Sequence, residues 1–168
     1  MTDAILVFRY HGSKIDLALS ILTMEVDPHM KYNRFEELPV WQDAIELAVR
    51  IFNLTSQPEF SREFTLKDQI ERAGVSISNN IAEGFERGTT KETLSFLYIS
   101  RGSSGEVRSL TYLLERLTRF KRLIIEIIDI RERATSISRQ LRAWCNSLQV
   151  SEIKGQRYLN RETVGPEI

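Results

Sequence analysis

The sequence predicts an all-α protein, folded as an antiparallel up-down-up-down four-helix bundle. Three observations support this fold class. Apolar residues recur at three- and four-residue steps in four segments between residues 39 and 148. The connections between these segments are short, as they are in helix bundles. The chain of 168 residues contains only four prolines and eight glycines, which disfavours a turn-rich β-sandwich or barrel.

The first predicted helix spans residues 39–56. Pro39 suits the first helical position, because the N–H that proline lacks would be unpaired there. Gln57-Pro58 ends the helix, since the residue before a proline disfavours helical geometry. The stripe predicted to face the core consists of Trp41, Ala44, Ile45, Ala48, Ile51 and Phe52.

The second predicted helix opens at Thr65, which serves as an N-cap with Asp68 three residues later. It ends at Gly88, where a left-handed glycine would terminate it. Its predicted core stripe consists of Leu66, Ile70, Ala73, Ile77, Ile81 and Phe85.

The third helix is predicted to begin at Thr89, because Thr89 and Glu92 match the capping box, and to reach residue 118. The fourth is predicted at residues 123–148. Its core row consists of Ile127, Ile130, Ala134, Ile137, Leu141, Trp144 and Leu148.

The chain divides into three parts, which are an N-terminal extension at 1–34, the bundle at 35–150 and a polar C-terminal tail at 151–168. The extension has no sustained helical stripe, and Asp27-Pro28 is a stop signal before the orderly pattern. One interpretation is that Met30 is the natural start.

Composition argues against several classes of site. Cys145 is the only cysteine, so neither an internal disulfide nor a multi-cysteine zinc site is expected. Both histidines, His11 and His29, precede the predicted bundle, which argues against a histidine-based triad or a di-iron site. No apolar run approaches the roughly 18–20 residues that a membrane span requires. We therefore expect a cytoplasmic non-enzyme with no metal, cofactor or small-molecule substrate.

The charges are unevenly distributed, although 23 Lys and Arg balance 23 Asp and Glu. Residues 90–142 contain 11 cations and 6 anions. The predicted nucleic-acid-binding residues are the cations of the connection between helices three and four and of helix four, namely Arg116, Arg119, Lys121, Arg122, Arg131, Arg133, Arg139 and Arg142. This excess favours contacts with phosphates. The alternative is that the cations complement the dipole at the end of helix three.

The third helix is more apolar than one buried face requires. Its main row consists of Phe96, Ile99, Ser103, Val107, Leu110, Leu114 and Leu117. Leu94, Tyr98 and Tyr112 lie off this row, and we predict that they contact another subunit. The alternative is that they widen the core stripe.

Two polar features have structural interpretations. Gly102-Ser103-Ser104-Gly105 resembles the phosphate clamp of KH domains, but it lies within a helical period, which favours close helix–helix approach, as at Gly84. The predicted structural polar network consists of Arg72, Asn80, Glu83 and Arg101. In this network Arg72 or Arg101 pairs with Glu83. Catalysis by Glu83 is the alternative, and no nucleophile or metal cluster accompanies it.

Three strings of residues carry a resemblance to a known family. They are Phe35-x-x-Leu38-x-Val40-Trp41-Gln42, then Asn80-Ile81-Ala82-Glu83-Gly84, then Gly102-Ser103-x-Gly105-Glu106. Over about residues 35–148 the chain resembles the bacterial four-helix-bundle family named for proteins encoded in intervening sequences of 23S ribosomal RNA genes.

The resemblance implies a small cytosolic non-enzyme that assembles as a homopentamer, and it transfers no catalytic residue. Bundles of similar shape bind a reverse transcriptase and RNA. This chain departs from the family pattern at Arg101, where relatives often have Ala. It departs again at Arg119-Phe120-Lys121, where a Gly-Tyr turn is common.

The leading hypothesis is therefore an oligomeric adaptor that binds structured RNA, or a protein that handles RNA, through the basic side of helices three and four. The alternative is a structural or protein-interaction module without nucleic-acid binding.

Overall fold

The computed structural model describes residues 32–150, so most of the predicted extension and all of the predicted tail lie outside the described residues. This part of the chain contains four α-helices, α1 (Pro39–Thr55), α2 (Phe64–Glu86), α3 (Thr90–Arg116) and α4 (Ile124–Val150). Short 3₁₀ turns occupy Phe35–Glu37, Pro58–Phe60 and Thr118–Leu123. No β-strand occurs within residues 32–150, and the predicted all-α four-helix class is confirmed.

Each helix packs against the next one along the chain, and α1 also packs against α4, so that α1 and α3 occupy diagonal positions. Residues near the start of one helix contact residues near the end of its neighbour. Between α3 and α4, for example, Glu115 contacts Arg131, whereas Tyr98 contacts Gln149. This opposite order is the one that antiparallel neighbours give.

At Gly84, helices α2 and α3 approach so closely that no side chain fits between them. A Cβ atom added at Gly84 would lie 2.9 Å from the Phe96 Cβ and 3.3 Å from the carbonyl oxygen of Thr93. Two helical turns from Gly84 along α2, the carbonyl oxygen of Ile77 accepts a hydrogen bond of 2.9 Å from the Ser100 hydroxyl of α3. The predicted close approach at Gly84 is therefore confirmed.

The capping box of α3 is confirmed. The Thr89 hydroxyl accepts a hydrogen bond from the Glu92 N–H at 3.3 Å and donates one of 2.6 Å to the Glu92 carboxylate. Helix α3 ends two residues earlier than predicted, because the chain turns into the 3₁₀ segment Thr118–Leu123.

The predicted ends of α2 are wrong. The Lys67 N–H donates to the carbonyl oxygen of Glu63 at 2.9 Å, so the first turn closes from Glu63 and Thr65 lies inside the helix. The C-terminal end of α2 is Glu86, and the next residue, Arg87, is extended. Gly88 does not adopt a left-handed conformation, and neither does any other residue in the described part of the chain.

The core stripe of α1 is confirmed in part, because Ala44, Ala48 and Ile51 are buried. Ile45 and Phe52 are exposed, however, and Leu47 and Leu54 are buried in addition. The reason is that α1 packs against both α2 and α4, so its buried arc extends toward α4.

The predicted main row of α3 is confirmed except at Ile99, which is exposed, whereas Val107 and Leu114 are buried. Four hydroxyl residues of α3 are also fully buried: Thr93, Ser100, Ser104 and Thr111. Small side chains at these positions allow α3 to approach its neighbours closely.

Candidate nucleic-acid interface

The connection between α3 and α4 packs against the connection between α1 and α2. The buried rings of Phe60 and Phe120 join the two connections, with ring centroids 4.6 Å apart. Arg119 forms an ion pair with Glu63, and the Arg122 guanidinium lies 3.8 Å from the Glu59 carboxylate. Acidic residues of the first connection therefore neutralise part of the predicted basic cluster.

Cations still outnumber anions at this end of the bundle. Lys121 is exposed, and the Arg122 side chain is 89% exposed despite its partner. Arg62, which sequence reasoning missed, adds a further exposed cation from the first connection. We call Arg62, Arg119, Lys121 and Arg122 the basic end. No local sequence pattern marks Arg62, because it joins the other cations only where the two connections meet.

One of the predicted binding residues, Arg133, is engaged in an ion pair on the side of α4 that faces α1. Arg133 pairs with Asp129 at 2.9 Å, and Arg50 of α1 lies 3.3 Å from the same carboxylate. Arg133 therefore belongs to the α1–α4 side. The eight predicted cations do not form one surface, since helix α4 carries them on opposite sides.

Arg131 lies on the other side of α4, at the seam with α3. Its side chain is only 14% exposed, it pairs with Glu115, and its guanidinium lies 4.3 Å from the centre of the Tyr112 ring. The hydrogen bond from Arg131 holds the pKa of the Glu115 carboxyl below its usual range. Arg131 thus joins α3 to α4 and has little free surface for a phosphate.

A second group of cations lies along the outer side of the α3–α4 seam. Arg101 and Arg108 of α3 are half-buried, and Arg139 and Arg142 of α4 are exposed. We call these four arginines the basic seam. No ion pair joins any of them to a carboxylate within residues 32–150.

Contacts between the helices bring the segments that carry these arginines side by side. The pairs Tyr112–Arg131 and Tyr98–Gln149 lie toward the two ends of the seam, so the segment between the two tyrosines faces the segment between Arg131 and Gln149. Burial raises the pKa of the Cys145 thiol, and the nearby guanidinium of Arg101 offsets part of that rise.

The floor of the seam is open at Gly105, where an added Cβ would meet no atom within 4 Å. Arg108 follows Gly105 by three residues and Arg101 precedes it by four, so the three positions share one side of α3. Sequence reasoning missed Arg101 and Arg108 as binding residues. Their seven-residue spacing is the signal that could have identified them.

Arg116 lies near the basic end, at the last turn of α3. It is exposed, and its guanidinium donates a hydrogen bond of 2.9 Å to the carbonyl oxygen of Tyr112. This arrangement satisfies a carbonyl group at the helix end, as the dipole interpretation expects.

The predicted polar network is not one network. Glu83 pairs with Arg87 on its own helix, and Arg72 lies 3.7 Å from Asp68. Neither Arg72 nor Arg101 is the partner of Glu83, so the predicted pairing is wrong. Arg72 precedes Glu83 by eleven residues on α2, which is about 16 Å of helix, whereas Arg87 lies only one turn from Glu83.

Short polar side chains join α2 and α3 instead. Asn80 donates to the carbonyl oxygen of Ser76 at 2.7 Å and to its hydroxyl at 3.0 Å. The Ser76 hydroxyl lies 2.9 Å from the Ser103 hydroxyl. Asn80 is therefore a structural residue of this interface.

The three residues predicted to contact another subunit differ in their surroundings. Leu94 is half-buried and packs against the core. Tyr98 and Tyr112 are about half exposed, and each contacts α4 of its own chain. The two tyrosines border the basic seam, so the predicted subunit contact and the predicted cationic surface fall on the same side of α3.

Comparison with known proteins identifies the family. The 23S rRNA-intervening sequence protein family matches residues 36–143, which include the basic seam and the basic end. The chain belongs to this family. A similar solved structure is a protein of unknown function from the S23 ribosomal protein family of Bacteroides thetaiotaomicron VPI-5482. It is 27% identical, with a TM-score of 0.58, and the match covers 63% of this chain and 97% of that one. No curated protein matches the chain.

This member of the intervening-sequence family offers no metal site within residues 32–150, because no three His, Cys, Asp or Glu residues there come together. Within the same residues, none of the helices is both long and apolar enough to span a membrane. The charged surfaces at the seam and at the end are therefore the chemically distinctive features of the described bundle.

Proposed function

We propose that the protein is a non-enzymatic, oligomeric adaptor of the cytoplasm that binds structured RNA through the basic seam and the basic end. The observation that carries this proposal is that adjoining segments of α3 and α4 carry four arginines without a carboxylate partner among the described residues. The protein needs no cofactor or small-molecule substrate for this role. Homopentameric assembly, which the family resemblance implies, would repeat the cationic surface and multiply phosphate contacts.

Electrostatics explains why phosphate suits the seam. Neighbouring guanidinium groups repel each other, and an anion placed between them removes that repulsion. Guanidinium groups also match phosphate oxygens with paired hydrogen bonds. Because such contacts reach the RNA backbone, they position the duplex or hairpin without reading its sequence.

The test is RNA retention on filters at two ionic strengths, with total RNA as the probe. Replacing Arg139 and Arg142 with Gln removes two cations of the seam that have no ion pair in the described structure. We expect weaker binding at low salt and a salt slope that is smaller by about 2, close to one unit per lost contact.

A matched control replaces Arg72 and Lys91, two exposed cations away from the seam and the basic end, with Gln. The control should retain the wild-type affinity and salt slope. If the Arg139/Arg142 variant bound RNA as tightly as wild type did, the seam would not be the binding site.

A second candidate function is a protein-interaction module without nucleic-acid binding. It is favoured by the apolar side chains exposed on α1, namely Ile45, Val49 and Phe52. The same measurement separates the two candidates, because such a module retains no RNA at either ionic strength.

A further inference from the structure

We infer that the aromatic ring of Phe64, at the start of α2, stacks on an unpaired base of the bound RNA. The basic end then receives single-stranded nucleotides, those of a hairpin loop, while the basic seam contacts the phosphates of the stem. This inference rests on the proposed function and deepens it, because it names the class of RNA, a hairpin with unpaired bases, and the residue that selects it.

Phe64 is the most exposed aromatic residue within residues 32–150. It is 75% exposed, whereas the next most exposed aromatic residues, Tyr112, Tyr98 and Phe52, are 50%, 45% and 45% exposed. The first buried residue of α2 is Ile70, so Phe64 contributes little to the core. An apolar ring that is left in water gains free energy by contact with a flat apolar partner.

The backbone at Phe64 is held in place by local structure on both sides. The Lys67 N–H donates a hydrogen bond of 2.9 Å to the carbonyl oxygen of Glu63, which closes the first turn of α2 around Phe64. Just before this turn, the buried ring of Phe60 packs against Phe120 of the other connection. Because the backbone is already ordered, binding there costs less conformational entropy than binding at a flexible segment does.

Cations from both connections lie at the same end of the bundle as this ring. Arg62 is exposed two residues before Phe64, and Arg119 of the other connection forms an ion pair with Glu63, the residue next to Phe64. The side chain of Arg122 is 89% exposed. Surfaces that bind single-stranded nucleic acid combine these two elements, since cations contact the phosphates and an aromatic ring receives a base.

The need for an unpaired base selects among RNA structures. In a continuous duplex the bases cover one another, so a protein reaches phosphates and sugars but not the faces of the bases. Loops, bulges and ends present unstacked bases that an aromatic side chain receives. A hairpin joins both elements, because its stem supplies phosphates for the arginines and its loop supplies free bases for Phe64.

Ile125, at the start of α4, is an internal control for this inference. It is 73% exposed at the same end of the bundle, three residues after the exposed Arg122. Its aliphatic side chain has apolar area but no π face on which a base stacks. Stacking therefore predicts that RNA binding depends on Phe64 and not on Ile125.

An anionic membrane is a different partner for exposed apolar residues beside cations. Helices that lie on membranes present a continuous apolar face to the lipid. In α2 the apolar row is buried instead, at Ile70, Ile77 and Ile81, and Phe64 stands apart from it. A single flat ring among cations fits a nucleobase better than it fits a lipid layer.

The test measures the affinity of wild type and variants for three labelled RNA probes. The probes are a hairpin with a wide unpaired loop, the same hairpin with abasic loop nucleotides, and a blunt duplex with the stem sequence. The abasic hairpin keeps every loop phosphate and loses only the bases. Phe64→Leu keeps an apolar side chain without a π face, Phe64→Trp keeps an aromatic face, and Ile125→Ala is the matched control. Circular dichroism melting verifies that each variant is folded.

The loss of stacking should appear with one probe only. Phe64→Leu should weaken binding of the intact hairpin by at least about 5-fold, the lower end of what one stacked base contributes. It should bind the abasic hairpin and the duplex as wild type does. Phe64→Trp and Ile125→Ala should retain the wild-type affinity for all three probes, and wild type should prefer the intact hairpin to the abasic one.

Three outcomes would overturn the inference: Phe64→Leu binding the intact hairpin as wild type does, Phe64→Leu losing affinity for the duplex to the same extent, or wild type binding the intact and abasic hairpins equally. Sedimentation with phosphatidylglycerol vesicles adds a fourth, since wild type that sediments and Phe64→Leu that does not would assign the ring to a membrane surface. If wild type bound the duplex and both hairpins equally, the inference alone would fail. If it bound none of the three probes, the proposed function would fail with it.

Discussion

Helices α2 and α3 each contain two glycines, and the two pairs have opposite surroundings. A Cβ at Gly74 would lie 2.7 Å from the Ile51 side chain, and one at Gly84 would lie 2.9 Å from Phe96. Gly102 and Gly105 face open space. The comparison shows that the same residue type serves internal packing in one helix and leaves a surface uncovered in the next. The glycines of α2 are required for close packing, whereas those of α3 meet no neighbour in the described chain.

The largest effect in this comparison is expected at Gly84. Gly84→Ala forces the backbone of α3 and the Cβ of Phe96 to move, and overpacking of this kind destabilises a core by about 1–3 kcal/mol. Alanine returns about 1 kcal/mol through its higher helix propensity. We expect a net loss of up to about 2 kcal/mol in the free energy of unfolding, measured by urea titration. A rise in the urea midpoint would show that α2 and α3 do not approach as closely as described.

A smaller effect of opposite sign is expected at Gly102. Gly102→Ala meets no neighbour, so the gain in helix propensity should raise the free energy of unfolding by about 0.5–1 kcal/mol. Urea titration of Gly102→Ala and wild type measures this difference. A loss of stability there would mean that a contact within the chain needs the glycine.

Local sequence signals predicted the helices well. Pro39 does begin α1, and the Thr89–Glu92 capping box does begin α3, because both depend on residues within one helical turn. Thr65 was a misleading cap signal, since the 3₁₀ turn Pro58–Phe60 lets the helix start from Glu63. Periodicity predicted each helix, but in α1 it did not define the width of the buried side, since Ile45 and Phe52 are exposed and Leu47 and Leu54 are buried.

Long-range pairings could not be predicted from the sequence. The pair Arg119–Glu63 exists because two connections meet at one end of the bundle, and nothing in either segment specifies the other. Glu83 has a cationic neighbour four residues later, Arg87, and that local pair prevailed over the proposed cross-helix partners. Charge counting therefore predicted the cations of the α3–α4 connection and of α4 as a candidate site. It did not predict that Arg101 and Arg108 of α3 lie beside them.

The smallest expected effect concerns the ion pair between Glu115 and Arg131 at the α3–α4 seam. The hydrogen bond from Arg131 lowers the pKa of the folded-state Glu115 carboxyl, so the pair stabilises the fold above the carboxyl's unfolded pKa. That contribution is lost as the pH falls through the lowered folded-state pKa. Wild type should therefore be slightly more stable than Glu115→Gln at neutral pH, and the difference should disappear in acid.

Urea titrations of both proteins between pH 7 and pH 3 measure this difference. Glu36, whose pKa Arg34 also lowers through a hydrogen bond, titrates equally in both proteins, so its contribution cancels. Glu106→Gln is the matched control at an exposed position of α3 without an ion pair inside residues 32–150, and it should match wild type throughout. A stability difference that persisted unchanged in acid would assign the effect of Glu115→Gln to packing against Arg131, and the seam would then be held by contact area and not by charge.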